Sequence, residues 1–158
     1  GDTVYLFGAH YMQFVGDGML CIFVDAADTH SVNHGLRAVR AALGLTNATR
    51  RIDAHVQKNL GGRGLPKFSL GVALHSGPVA FAHLDGLISR TGQSTPVGET
   101  VSAALKLFQG EPRLPWSVAA SVQAVRLVTG AVRTGERALV QLPGRSQPMD
   151  TLEILGLA

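Results

Sequence analysis

The sequence predicts an α+β or α/β sandwich, with at least one helical layer against a mixed or antiparallel sheet. Three observations carry this: a hairpin signal over residues 11–24, a switch to helical periodicity directly after it, and strand-like segments flanking a Pro/Gly turn near the C-terminal end. These alternate within 158 residues, of which 46% are hydrophobic, a size that suits one compact domain and is short for two.

The hairpin lies in YMQFVGDGMLCIFV, where Tyr11–Val15 and Met19–Val24 flank Gly16-Asp17-Gly18, a tripeptide suited to a tight antiparallel turn. Past Asp25-Ala26-Ala27-Asp28, Val32, Leu36, Val39 and Leu43 place an apolar stripe on one side of a helix, which Gly35 weakens slightly. A second helical stretch over residues 48–60 has Ile52, Val56 and Leu60 at four-residue spacing and stops before GGRGLPK. FSLGVALH, residues 68–75, reads as a strand, and the Ser76-Gly77-Pro78 break as a turn into another. Residues 86–96 read as a loop, and ETVSAALKLF as a short amphipathic helix carrying Val101, Leu105 and Phe108. After Glu111-Pro112-Arg113-Leu114-Pro115, Ser117 is placed to cap a helix whose apolar side includes Val118, Val122 and Val125. ALVQLPGRSQPMDTLEIL closes the chain as a hairpin.

Fourteen Lys and Arg against eleven Asp and Glu give a net charge of +3, which favours anionic ligands without naming one. The arginines are spread out, with no dense basic stretch interleaved with aromatics, so no nucleic-acid partner is expected. Cys21 is the only cysteine and sits in the apolar run MLCIFV, where it reads as a core residue in a reducing compartment. No apolar run approaches the roughly 20 residues that cross a bilayer. GDTVYLFGAH has no basic leader, so a cytoplasmic domain is expected, with membrane tethering through further sequence left open.

Four blocks in order, FVGDGMLCIF, FSLGVALHSGPV, TPVGETVSAALKLF and LPGRSQPMDTLEIL, resemble the catalytic domain of class III adenylate and guanylate cyclases, and of bacterial adenylate cyclases in particular. The resemblance runs from about residue 10 to the end. It implies the ferredoxin-like α+β sandwich of that family over a single domain, residues 1–158, together with a head-to-tail homodimer that shares its active sites. It also implies conversion of ATP into cyclic AMP and pyrophosphate with Mg2+ or Mn2+, and an attached sensory or regulatory domain.

The site residues follow from the resemblance. Asp17 matches a metal-binding aspartate in the hairpin turn; a turn exposes its carboxylate, and a hard oxygen suits those cations. The plainer alternative is an Asp that bonds nearby backbone. Active members carry a second metal aspartate on the first strand of the domain, whereas sixteen residues precede Asp17 here. That strand region is therefore expected to be missing or incomplete. If Thr3–Phe7 is its remnant, the metal position falls near Ala9, which cannot ligate; Asp2 is too early, and Asp25 and Asp28 do not fit.

Ser102 and Lys106 stand where the family places an Asn and an Arg that face the nucleotide as catalytic residues. Their i,i+4 interval keeps them on one helical face. Ser102 has less reach than Asn, and Lys106 keeps charge but loses the planar fork that grips phosphate; a tolerated helix serine and a surface charge are the alternatives. Gln13 and Thr95 match the base-selecting pair, for which ATP is preferred over GTP. Arg145 is placed to reach the terminal phosphates or to be an exposed hairpin-tip charge, with Pro143 in another often-basic position. Glu99 reads as an acid stabilising a helix start. His10, His75 and His83 make no zinc set. A noncatalytic nucleotide-binding or dimerisation module and a guanylate cyclase are the competing readings.

Overall fold

A computed structural model describes residues 11–15, 18–24, 33–60, 71–78, 80–83 and 94–158. The first hairpin forms, with its second strand beginning at Gly18 and ending at Ile22 and not at Val24: β1 (Tyr11–Val15) pairs antiparallel with β2 (Gly18–Ile22), from Tyr11 opposite Ile22 to Val15 opposite Gly18. Asp17, together with Thr3–Phe7 and Ala9, lies outside the described residues.

α1 (His34–Leu60) is one continuous helix of 27 residues where the sequence indicated two segments. Asn33 starts it: its side-chain carbonyl accepts the Leu36 N–H at 2.8 Å, and its amide donates to the Leu127 carbonyl at 3.0 Å. Gly44 costs about 1 kcal/mol in a helix interior. It does not break this one because Val39, Ala41, Ala42 and Thr46 are buried around it, and tertiary packing outweighs propensity. Gly35 has a positive reason to be glycine, since a Cβ there would stand 2.7 Å from the Cβ of Leu127.

The main sheet has four strands in the order β3-β6-β8-β7: β3 (Val72–Leu74), β6 (Val118–Ser121), β7 (Val132–Val140) and β8 (Met149–Leu157). β3 and β6 are parallel and the other two pairs antiparallel, so the sheet is mixed. A separate pair joins β4 (Ala80–His83) to β5 (Ser94–Val97), and residues 94–96, read as loop, are strand.

Helices cover both faces. α2 (Glu99–Lys106) runs into a 3-10 turn, Leu107–Gln109, on one face. On the other lie α1 and the short α3 (Val122–Arg126). The period-2 alternation of strands assigns residues to the two layers. Val118 and Ala120 join Val39, Ala42, Val128 and Ile154 on the α1 face, whereas Ala119 joins Ala103, Leu107, Trp116, Val140 and Met149 on the α2 face. In β7 the register gains a residue between Thr134 and Arg137. That bulge flips the parity, so Val132 packs on the α1 face while Ala138 and Val140 pack on the other.

The segment after Pro115 corrects the sequence reading. Val118, which the periodicity placed on a helix, lies in β6, whose four residues are all buried, and the helix starts only at Val122. The cap is Ser121, whose hydroxyl accepts the Ala124 N–H at 3.2 Å, and not Ser117. VAAS has no intrinsic bias strong enough to resist its place in the middle of a sheet.

Between β2 and β3 lies a cleft of about 540 Å³, lined by residues 19–23, by residues 71–77 and by apolar side chains of α1 and α2. Among the described residues, the edges of β2 and β3 that border it pair with no strand. Burial pushes the Cys21 thiol up, so it stays protonated at neutral pH and packs as a small apolar group.

Candidate functional site

The site is built where α2, the β7–β8 turn and the C-terminal ends of β3 and β6 meet. α2 begins at Gly98, whose carbonyl accepts the Ser102 N–H at 3.2 Å. Ser102 and Lys106 follow one turn apart, both half-buried on the same helical face. The turn after β7 brings Gly144, with φ of 77°, against this helix: a Cβ there would lie 3.9 Å from the Lys106 Nζ. The next residue, Arg145, directs its Nε at 3.0 Å to a carboxylate oxygen of Glu99. Gln141 donates its side-chain amide to the Arg145 carbonyl, fixing the backbone at this point.

One guanidinium nitrogen of Arg145, Nη1, is buried and makes no hydrogen bond. A buried donor left unmet costs about 1–3 kcal/mol. An anionic oxygen in the adjoining pocket of about 260 Å³, lined by Glu99, Gly144, Arg145, Ser146 and Gln147, has the chemistry to satisfy it. The Lys106 ammonium beside the same turn adds a second positive charge.

His75, just past β3, faces this cluster from the sheet. Its Nδ1 lies 2.7 Å from the Ser121 hydroxyl oxygen. Ser121 also accepts from the Ala124 N–H, and its hydroxyl keeps both a donor and an acceptor for the ring, the direction of that bond following the imidazole tautomer. Burial lowers the His75 pKa, Arg145 lowers it further, and Glu99 opposes both, so the ring is held toward its neutral form. The positive charge of the site therefore resides on Lys106 and Arg145.

Of the residues singled out in the sequence, the structure brings Ser102, Lys106 and Arg145 together. Gln13 is exposed on β1, where its side-chain carbonyl accepts the Tyr11 hydroxyl at 2.7 Å. Thr95 is in β5 opposite Ala82. Asp17, the single metal-binding candidate, lies outside the described residues, and among those described no group of three or more His, Cys, Asp or Glu could hold a metal ion. The described residues thus do not assemble a divalent-metal site. His75, at the end of a strand, makes a hydrogen bond as its position indicated; its partner Ser121 and the pairing of Glu99 with Arg145 escaped the sequence reading, because only the fold joins residues so far apart in the chain.

No protein-family model and no curated protein sequence matches the chain. Solved structures do. The guanylyl cyclase Cya2 matches at 20% identity with a TM-score of 0.76, over 99% of this chain and 75% of that one. The adenylyl cyclase CyaB from P. aeruginosa matches at 18% and 0.67, over 98% and 75%. The guanylate cyclase domain of RhGC from Catenaria anguillulae, solved in complex with GTP, matches at 16% and 0.65, over 99% and 78%. Likeness at these identities is a likeness of architecture, and what it shows is that this α+β chain has the fold of the adenylyl and guanylyl cyclase domains.

Proposed function

We propose that the chain is a class III nucleotide cyclase domain that binds a nucleoside triphosphate, ATP in preference to GTP, at sites shared between two copies. The observation that carries the reading is the meeting of Ser102 and Lys106 on α2 with Arg145 and its buried, unbonded Nη1, within a cyclase fold. In this reading Arg145 and Lys106 hold phosphate oxygens, Ser102 bonds the sugar or a water, and Gln13 with Thr95 reads the base. Asp17 is the ligand offered to Mg2+ or Mn2+; the remaining donors are not found among the described residues. A second reading, a module that binds nucleotide without turnover, is favoured by the Ser and Lys at positions 102 and 106 where the resemblance implies Asn and Arg. Among the described residues no helix is long and apolar enough to cross a membrane; the domain is proposed to work in the cytoplasm, with a sensory or regulatory domain attached.

One experiment separates the readings. Purified protein of established oligomeric state is incubated with ATP or GTP and manganese, product is followed by chromatography, and nucleotide binding by calorimetry. Cyclic AMP that disappears in Asp17→Ala supports the cyclase; ATP binding without product selects the noncatalytic module. Absence of both binding and product refutes the nucleotide site itself.

A further inference from the structure

The pairing of Tyr11 with Gln13 bears on how the site distinguishes bases, and it rests on the nucleotide reading above. Residues two apart on a strand point to the same face. Tyr11 and Gln13 are thus neighbours on β1, registered opposite Ile22 and Leu20 of β2. The Tyr11 hydroxyl donates to the Gln13 Oε1 at 2.7 Å. A phenol is a better donor than acceptor, because its oxygen lone pair is delocalised into the ring, so the amide oxygen is its natural partner. This bond turns the Gln13 Oε1 toward Tyr11, one of its two lone pairs engaged, and turns the two amide N–H groups to the opposite side as the donors it can offer a ligand.

The pairing edges of the two purines answer this differently. Adenine presents the N1 acceptor beside the N6 amino group. Guanine presents N1–H and N2–H donors beside O6. An amide that offers N–H groups complements adenine N1 and meets the guanine N1–H donor to donor, a mismatch that leaves polar groups unpaired. A glutamine able to flip would accommodate both.

We propose that Tyr11 sets the base preference of this domain by holding the Gln13 amide in its donor orientation, which favours adenine. Tyr11 is a positioning residue; it acts on the base only through Gln13.

The test titrates the whole chain with fluorescent N-methylanthraniloyl ATP and with the GTP analogue, for the wild type, Tyr11→Phe, Gln13→Ala and the double variant, with a thermal melt for each. Loss of one hydrogen bond of ordinary strength lowers the ATP/GTP affinity ratio on the order of five-fold in Tyr11→Phe. In the Gln13→Ala background the same substitution leaves the ratio unchanged, as a role through Gln13 requires and a general weakening of the hairpin does not. A ratio that Tyr11→Phe does not move, or moves equally in both backgrounds, overturns the inference. Failure of the wild type to bind either analogue overturns instead the proposed nucleotide site.

Discussion

Replacing Glu99 with Gln removes the negative charge that, among the described residues, is paired with Arg145. The carboxylate and the guanidinium Nε are 3.0 Å apart, but the Glu99 side chain is 71% exposed and that of Arg145 31%, so water screens the pair. Exposed ion pairs of this kind contribute about 0.2–1 kcal/mol. Glu99 also sits in the first turn of α2, where an acid contributes a further 0.3–1 kcal/mol or so against the helix dipole. Glu99→Gln is therefore expected to destabilise the fold by roughly 0.5–2 kcal/mol, a few degrees of melting temperature for a chain of this size. Its effect on ligand runs the other way. A phosphate approaching Arg145 competes with Glu99 for the guanidinium and is repelled by it, so relieving about 1 kcal/mol of competition tightens ATP binding roughly five-fold. Calorimetric titration and a thermal melt on the same preparation read both quantities. Binding that weakens or stays unchanged in Glu99→Gln would mean that Arg145 does not receive phosphate, and the site as built here would be wrong.

Two further outcomes follow from the packing. Gly110→Ala drives a methyl into a Val140 methyl and to 2.8 Å from the Gln141 carbonyl oxygen, against a side chain with no solvent exposure; overpacking of this sort costs about 1–3 kcal/mol, readable as a lower denaturation midpoint with an unchanged m-value. His75 gives a pH signature. Its folded pKa is lowered by burial and by Arg145, so the unfolded chain takes up a proton more readily than the folded one. Its contribution to stability is complete above the ordinary imidazole pKa of 6.5 and is lost as pH falls below it toward the depressed folded value. Melts across this range should show stability rising with pH, and His75→Gln should flatten that slope; an unaltered slope would exclude His75 as its source.

Much of the architecture was legible because its signals are local. The Gly-Asp-Gly hairpin, the Leu36, Val39 and Leu43 stripe of α1 and the Glu99 start of α2 each depend on residues within a turn or two of one another. Reading failed where a distant element decides the outcome. Val118 to Ser121 look helical in isolation and become a strand because β3 and β8 flank them on either side. The two helical stretches read on either side of residues 44–47 are one helix, because the sheet packs against the turns that join them. At the site the spacing of Ser102 and Lys106 could be read along one helix. The contacts of Glu99 with Arg145 and of His75 with Ser121 could not, because each joins residues 46 apart.

The continuity of α1 also has a consequence for how order is distributed. A helix of 27 residues extends about 40 Å, and among its described side chains the buried positions, Gly35, Val39, Ala41, Ala42 and Thr46, fall in its first half, while Arg50, Arg51, Ile52, Ala54, His55 and Lys58 are exposed. Starting a helix is the costly event and lengthening it is nearly free. The half anchored to the sheet bears the nucleation cost for both, and the outer turns are extended from it residue by residue. Order along this helix is thus graded, fixed at the base by the core and progressively more dependent on backbone hydrogen bonding toward Leu60.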